Sequence, residues 1–147
     1  MKEISKEDIE QLKRDLYTYG YYEKKIKYLQ LKLQEVNMQL KDKESVRGIR
    51  YDSQCISKDP YYSSVVDLIY QEEGIRIERD TFIEKKKRLG FERLSEVLTK
   101  MEYEIIEAHF FNGLSYSVIS VNKGFLYPEH SKKISYRTLN KILNLRQ

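Results

Sequence analysis

The chain has 147 residues and a mass of 17.7 kDa, the size of one ordinary domain or of a small domain with a helical extension, which excludes a large multi-domain enzyme. Hydrophobic residues make up 40% of it and charged residues 34%, with only 6 Gly, 2 Pro and no Trp, which favours a folded, predominantly helical chain over a disordered one or a β-sandwich. The net charge of +4 is unevenly distributed along the chain. Basic and acidic residues number 12 and 9 in residues 1–50, 9 and 13 in residues 51–112, and 6 and 1 in residues 113–147. An anionic partner is therefore expected near the C-terminus.

A long amphipathic helix is predicted first, over residues 9–40. Its apolar residues recur at steps of three or four and form nearly a heptad seam, while charged residues fill the remaining positions. Two steps of three meet near Gly20, which predicts local overwinding or a bend. The seam suits packing within the chain and also dimerisation, and both arrangements stay open.

A connector and a second long helix follow. Residues 44–60 lose the helical period and gather Ser, Gly, Asp and Pro, which predicts a connector. The second helix is expected to begin near Pro60 and to use apolar residues spaced seven apart. These are Leu68, Ile75, Phe82 and Leu89. Residues 1–89 are therefore predicted to form a helical hairpin, or coiled-coil-like helices, for interaction or self-association.

Short capped helices are predicted in the remaining segment, 90–147. Thr99 and Glu102 match a capping box, and this helix should end at Asn112-Gly113. Ser115 is predicted to cap the next helix, which Gly124 stops. The small inward side chain of Ser120 would let a following helix cross closely.

The last helix is predicted to start with Ser135 as its N-cap, supported by a hydrophobic staple between Ile134 and Leu139. Its outward side chains would then include cations and amides but no carboxylate. This order of helices, with a Gly-containing turn and a cationic last helix, is typical of a helix-turn-helix domain, whose final helix enters the major groove of DNA.

Base readers and phosphate contacts follow from that hypothesis. Arg pairs with guanine and Asn with adenine, so Arg137 and Asn140 are the predicted readers, whereas a phosphate contact such as Lys133 should support all sequences alike. The complete predicted DNA-binding set is Ser115, Tyr116, Lys132, Lys133, Ser135, Tyr136, Arg137, Asn140 and Lys141.

The spacing inside this unit departs from a compact helix-turn-helix. Ten residues, 125–134, separate Gly124 from Ser135, where a turn needs about three or four. Two arrangements are open: either the middle helix runs on before Pro128, or a loop carrying His130, Lys132 and Lys133 projects beside the last helix.

The sequence resembles the phage-encoded late-gene transcriptional activators of Gram-positive hosts, the RinA-like and ArpU-like regulators, which are akin to the DNA-binding region of sigma factors. The resemblance is carried by Tyr17-Thr18-Tyr19-Gly20-Tyr21-Tyr22, by Glu104-Ile105-Ile106-Glu107-Ala108-His109-Phe110-Phe111-Asn112-Gly113 and by Ile134-Ser135-Tyr136-Arg137-Thr138-Leu139. It implies a DNA-binding activator of late genes that contacts bacterial RNA polymerase or itself through the N-terminal helices, with an antagonist protein as a further candidate partner.

No enzymatic site, metal site or cofactor is predicted. The chain has one Cys, Cys55, and two His, and it lacks phosphate-loop, dinucleotide, zinc-protease and nucleophile-elbow motifs. His109 lies between apolar residues and is interpreted as a partly buried structural residue. The lone Cys and the absence of a signal peptide or membrane span favour the cytoplasm, and the resemblance implies that this is the cytoplasm of a bacterial host.

Three functions remain under comparison. The expected one is a transcription regulator that binds double-stranded DNA, with a homodimer as one open arrangement. The alternatives are a protein-interaction adaptor that acts through the N-terminal helices, and the small DNA-recognition subunit of a phage packaging enzyme.

Overall fold

The computed structural model describes residues 5–47 and 60–146, with side chains described over 5–43 and 64–146. Every regular element in these ranges is helical, which confirms the all-α prediction. The elements are α1 (Lys6–Arg47), α2 (Pro60–Arg88), α3 (Leu94–Val97), α4 (Lys100–Ile106), a π-helical segment (Glu107–Phe111), α5 (Tyr116–Lys123) and α6 (Pro128–Arg146). None of these helices is both long and apolar enough to cross a membrane.

The chain divides into two compact units. The hairpin unit is Lys24–Lys85, and the terminal unit combines Met1–Glu23 with Lys86–Gln147. The sequence placed the boundary at 89/90 instead. The physical reason for the difference is that the first turns of α1 belong to the core of the terminal unit, where Leu12 and Leu16 are fully buried.

In the hairpin unit, α1 and α2 run antiparallel, since Lys43 donates to Ser64 while Gln30 shares a groove with Arg79. The predicted apolar seam is used within the chain here, and its buried residues are Ile26, Leu29, Leu33 and Val36 of α1 with Leu68 of α2. The predicted start of α2 near Pro60 is confirmed. Of the predicted connector, residues 44–47 are still helical, and 48–59, including Cys55, lie outside the described residues.

In the terminal unit, α1 packs against the short helices through one hydrophobic core. The core residues are Leu12, Leu16, Tyr19, Phe91, Leu94, Leu98, Ile106, Phe110, Phe111, Leu139, Ile142 and Leu143. The predicted capping box is present, because Thr99 accepts from the amide of Glu102 and the Glu102 carboxylate accepts from the amide of Thr99. The π-helical segment was not predicted. It inserts one extra residue per turn, and both Phe110 and Phe111 are buried.

Gly20 is required by a close approach between α1 and the π-helical segment. A Cβ atom at this position would lie 2.7 Å from the Cα of Phe111 and 2.9 Å from the carbonyl oxygen of Phe110. Both of these are backbone atoms, which cannot move aside as a flexible side chain would. Helix α1 continues through Gly20, so the residue serves packing where the sequence pattern predicted an irregularity.

We expect Gly20→Ala to lower the free energy of unfolding by about 1–3 kcal/mol, because the added methyl overpacks this contact. Gly74→Ala is the matched control, since Gly74 is also helical and has no atom within 4 Å of its would-be Cβ. That control should be neutral or more stable by up to about 1 kcal/mol. Urea unfolding followed by circular dichroism measures both, and an equal response of the two variants would contradict the packing role.

Candidate nucleic-acid interface

Helix α6 begins at Pro128, seven residues before the predicted N-cap. The prediction that Ser135 caps this helix is therefore wrong, and so are both arrangements considered for 125–134, because residues 128–134 are the first two turns of α6. A proline fits the first turn of a helix, and the negative charge of Glu129 in that turn interacts favourably with the positive end of the helix dipole. The link between α5 and α6 is only Gly124–Tyr127, with Gly124 left-handed at a φ of 74°.

Helices α5 and α6 contact each other through buried serine hydroxyls, which form a polar seam between them. Ser120 of α5 and Ser131 of α6 are at most 2% exposed, and their Oγ atoms lie 2.7 Å apart. Ser131 also donates to the carbonyl oxygen of Tyr116 at 2.9 Å. The close crossing predicted from the small size of Ser120 is confirmed. Because every buried hydroxyl here has a partner, the seam holds the helices in one arrangement.

Ser135 and Tyr116 belong to the same seam and face inward. The Ser135 side chain is fully buried and its Oγ lies 3.0 Å from the Tyr116 hydroxyl. Burial raises the pKa of Tyr116, so this phenol remains neutral at ordinary pH. The prediction that Ser135 contacts DNA is corrected by its burial. Tyr116 is half-buried and committed to the same contact, so its hydroxyl is not directed at a ligand.

His109 is a structural residue, as predicted. Its Nδ1–H donates to the carbonyl oxygen of Leu114 at 2.8 Å, because a carbonyl only accepts, and its Nε2 forms a hydrogen bond of 3.1 Å with the Tyr17 hydroxyl. The half-buried imidazole also stacks on the Tyr116 ring with centroids 4.0 Å apart. These contacts join α1, the turn after the π-helical segment and the start of α5.

Four of the predicted contact residues lie exposed on α6. They are Lys132, Lys133, Arg137 and Asn140, and none of them forms a hydrogen bond or an ion pair with the described part of the chain. Two groups join this surface because the helix starts earlier than predicted. The exposed ring of His130 packs edge to face against Phe125, with the ring centroids 4.5 Å apart. The exposed carboxylate of Glu129 also lies on α6, so the prediction that the outward face of this helix has no carboxylate is wrong.

The other three predicted contacts are engaged within the terminal unit. Lys141 forms an ion pair with Glu102 at 3.1 Å. Tyr136 is 40% exposed and lies beneath the ammonium of Lys13, 5.0 Å from its ring centroid. Ser115 caps α5 as predicted by accepting from the amide of Val118 at 3.3 Å.

The sequence therefore identified the basic helix but not which of its cations are already paired. Three of the six basic residues in 113–146 have acidic partners: Lys123 with Glu104, Lys141 with Glu102, and Arg146 with Asp15. The other three, Lys132, Lys133 and Arg137, all lie in the first ten residues of α6. Among the described residues, no group of His, Cys, Asp and Glu side chains is arranged to hold a metal ion.

Comparison with protein-family models, with curated proteins and with solved structures gives no match for this chain.

Removing one hydroxyl from the seam tests its contribution. We expect Ser131→Ala to cost about 1–2 kcal/mol of unfolding free energy, because the buried hydroxyl of Ser120 and the carbonyl of Tyr116 each lose a hydrogen-bond partner. Ser117→Ala on the exposed side of α5 is the matched control and should change stability by less than about 0.5 kcal/mol. Urea titration of both proteins gives the comparison, and equal stability would show that the seam contributes nothing specific.

Glu102 should make stability depend on pH. The Thr99 amide, opposed by partial burial and aided by Lys141, holds its pKa below the ordinary value. A lowered pKa adds stability that is complete above the unfolded pKa of about 4.3 and is lost as pH falls through the folded pKa. We expect Glu102→Gln, which retains the cap, to be less stable by up to about 1 kcal/mol near neutral pH. Unfolding at a series of pH values should show this difference vanish in acid, and a constant difference would contradict it.

Proposed function

We propose that this protein is a regulator of transcription that binds double-stranded DNA, with α5 and α6 acting as a helix-turn-helix. The observation that carries the proposal is the exposed set Lys132, Lys133, Arg137 and Asn140 on α6, with no partner among the described residues. A helix of this type enters the major groove, where its cations and amides meet phosphates and base edges.

The short link between the helices supports the same proposal. The stretch Gly124–Tyr127 has four residues, as a compact helix-turn-helix requires. The polar seam at Ser120 and Ser131 holds α6 with its unpaired cations outward.

The biological setting proposed for this activity rests on the resemblance to phage late-gene activators. In that setting the protein works in the cytoplasm of a bacterial host. The hairpin unit, Lys24–Lys85, would contact RNA polymerase or a second copy, and an antagonist protein would have the same surface available.

The proposal predicts DNA binding that falls with salt and prefers one sequence. A duplex selected from a random library should bind about 10³-fold or more tightly than a scrambled duplex, and both affinities should fall between about 50 and 200 mM salt. Fluorescence anisotropy measures this. Arg137→Ala should weaken the selected duplex by roughly 5- to 150-fold and affect the scrambled one much less. Lys27→Ala, which removes an exposed cation from the hairpin unit, is the control and should leave both unchanged.

The adaptor function predicts a different result. In that case the full-length protein would bind neither duplex above the level of nonspecific charge attraction, and Arg137→Ala would behave like Lys27→Ala. A ring-forming packaging subunit would bind DNA but sediment as a large oligomer, so analytical ultracentrifugation of the same sample distinguishes it from a monomeric or dimeric regulator.

A further inference from the structure

The earlier start of α6 changes the roles of its two neighbouring lysines. At about 100° of rotation per residue, Lys133 and Arg137 each lie about 160° around the helix from Ser135, which is fully buried. They therefore point directly away from the core. Lys132 lies only about 60° from Ser135, on the flank of the helix and one turn before Tyr136.

The outward pair consists of hydrogen-bond donors alone. Lysine and arginine carry N–H groups and no acceptor, so each favours a base edge that presents acceptors. In the major groove only guanine presents two, O6 and N7, while adenine places an amino donor beside its N7. Lys133 and Arg137 both lack an acidic partner among the described residues, so their donors are not paired within that part of the chain.

The spacing along the helix adds a geometric constraint. Lys133 and Arg137 are four positions apart in the sequence, which is about 6 Å along the helix axis. Successive base pairs are about 3.4 Å apart, so a helix lying along the groove would bring the two side chains to base pairs about two steps apart.

We infer that Lys133 and Arg137 together read two guanines about two base pairs apart, whereas Lys132 contacts the phosphate backbone. This inference rests on the proposed function and specifies its DNA substrate. It also moves Lys133 from the phosphate contacts, where the sequence placed it, to the base readers. His130 lies on the same outward side, but an imidazole both donates and accepts, so it selects no base by itself.

The test uses the full-length protein and a duplex selected from a random library. The wild-type selection should return two guanines at this spacing. Replacing one of them by 7-deazaguanine removes its N7 acceptor and should weaken wild-type binding by roughly 5- to 150-fold. Lys133→Ala should bind the normal and modified duplexes alike at one guanine, and Arg137→Ala should do so at the other.

Lys132→Ala is the matched control, because it removes the same charge from the next residue. It should weaken selected and scrambled duplexes by the same factor and retain full sensitivity to 7-deazaguanine. Lys132, Lys133 and Arg137 are all exposed residues of α6, and circular dichroism of each variant tests whether the helix content is unchanged.

Three results would overturn the inference. If selection returns a preferred sequence without the guanine pair, or if Lys133→Ala and Lys132→Ala behave alike, the assignment of readers is wrong while the proposed DNA binding stands. If the wild-type protein prefers no duplex, the proposed function fails and this inference fails with it.

Discussion

The contact between the hydroxyls of Ser120 and Ser131 decides how α5 and α6 cross, and the rest of the interface depends on that crossing. Two serines bring the helices close because each adds only one heavy atom beyond Cβ, and their 2.7 Å contact is satisfied without water. A longer side chain at either position would push α6 away or rotate it. Rotation by a single residue, about 100°, would replace Lys133 and Arg137 at the outward position by their neighbours. The polar seam therefore specifies which side chains α6 presents, in addition to whatever stability it contributes.

Helix α1 packs against α6 and the other short helices of the terminal unit. Gly20 allows it to approach the backbone of Phe110 and Phe111, and near its start Lys13 covers the ring of Tyr136. Burial alone would lower the pKa of Lys13, but Tyr136 and Glu10 outweigh that effect and raise it, so the ammonium remains charged. The first half of α1 is thus part of the same unit as α6, and substitutions in it should affect α6 through packing even at residues far from the exposed face of α6.

Local signals predicted most helix ends but not the start of α6. Thr99, Ser115 and Gly124 act within one turn of their own helices, so a sequence contains everything needed to place them. Ser135 shows the same local pattern, yet its hydroxyl meets Tyr116, which is 19 residues away, and only the tertiary fold supplies that partner. The sequence also did not predict the π-helical segment. There a shift in backbone hydrogen bonding buries Phe110 together with Phe111. The spacing of apolar residues in this segment does not differ clearly from that of an ordinary α-helix, so the sequence pattern contains no signal for it.

Net charge predicts a larger unpaired basic surface near the C-terminus than the structure shows. Residues 113–147 carry six basic groups against one acidic group, but Lys123, Lys141 and Arg146 are balanced by acids from other segments. The unpaired charge is concentrated on three residues at the start of one helix. Each phosphate contact contributes about one unit to the salt dependence of DNA affinity, so under the proposed function a surface of this size would give weak nonspecific binding per chain. For the proposed DNA binding, few phosphate contacts mean that sequence preference must come from base edges, so the angular positions of Lys133 and Arg137 would matter more for that function than the total charge.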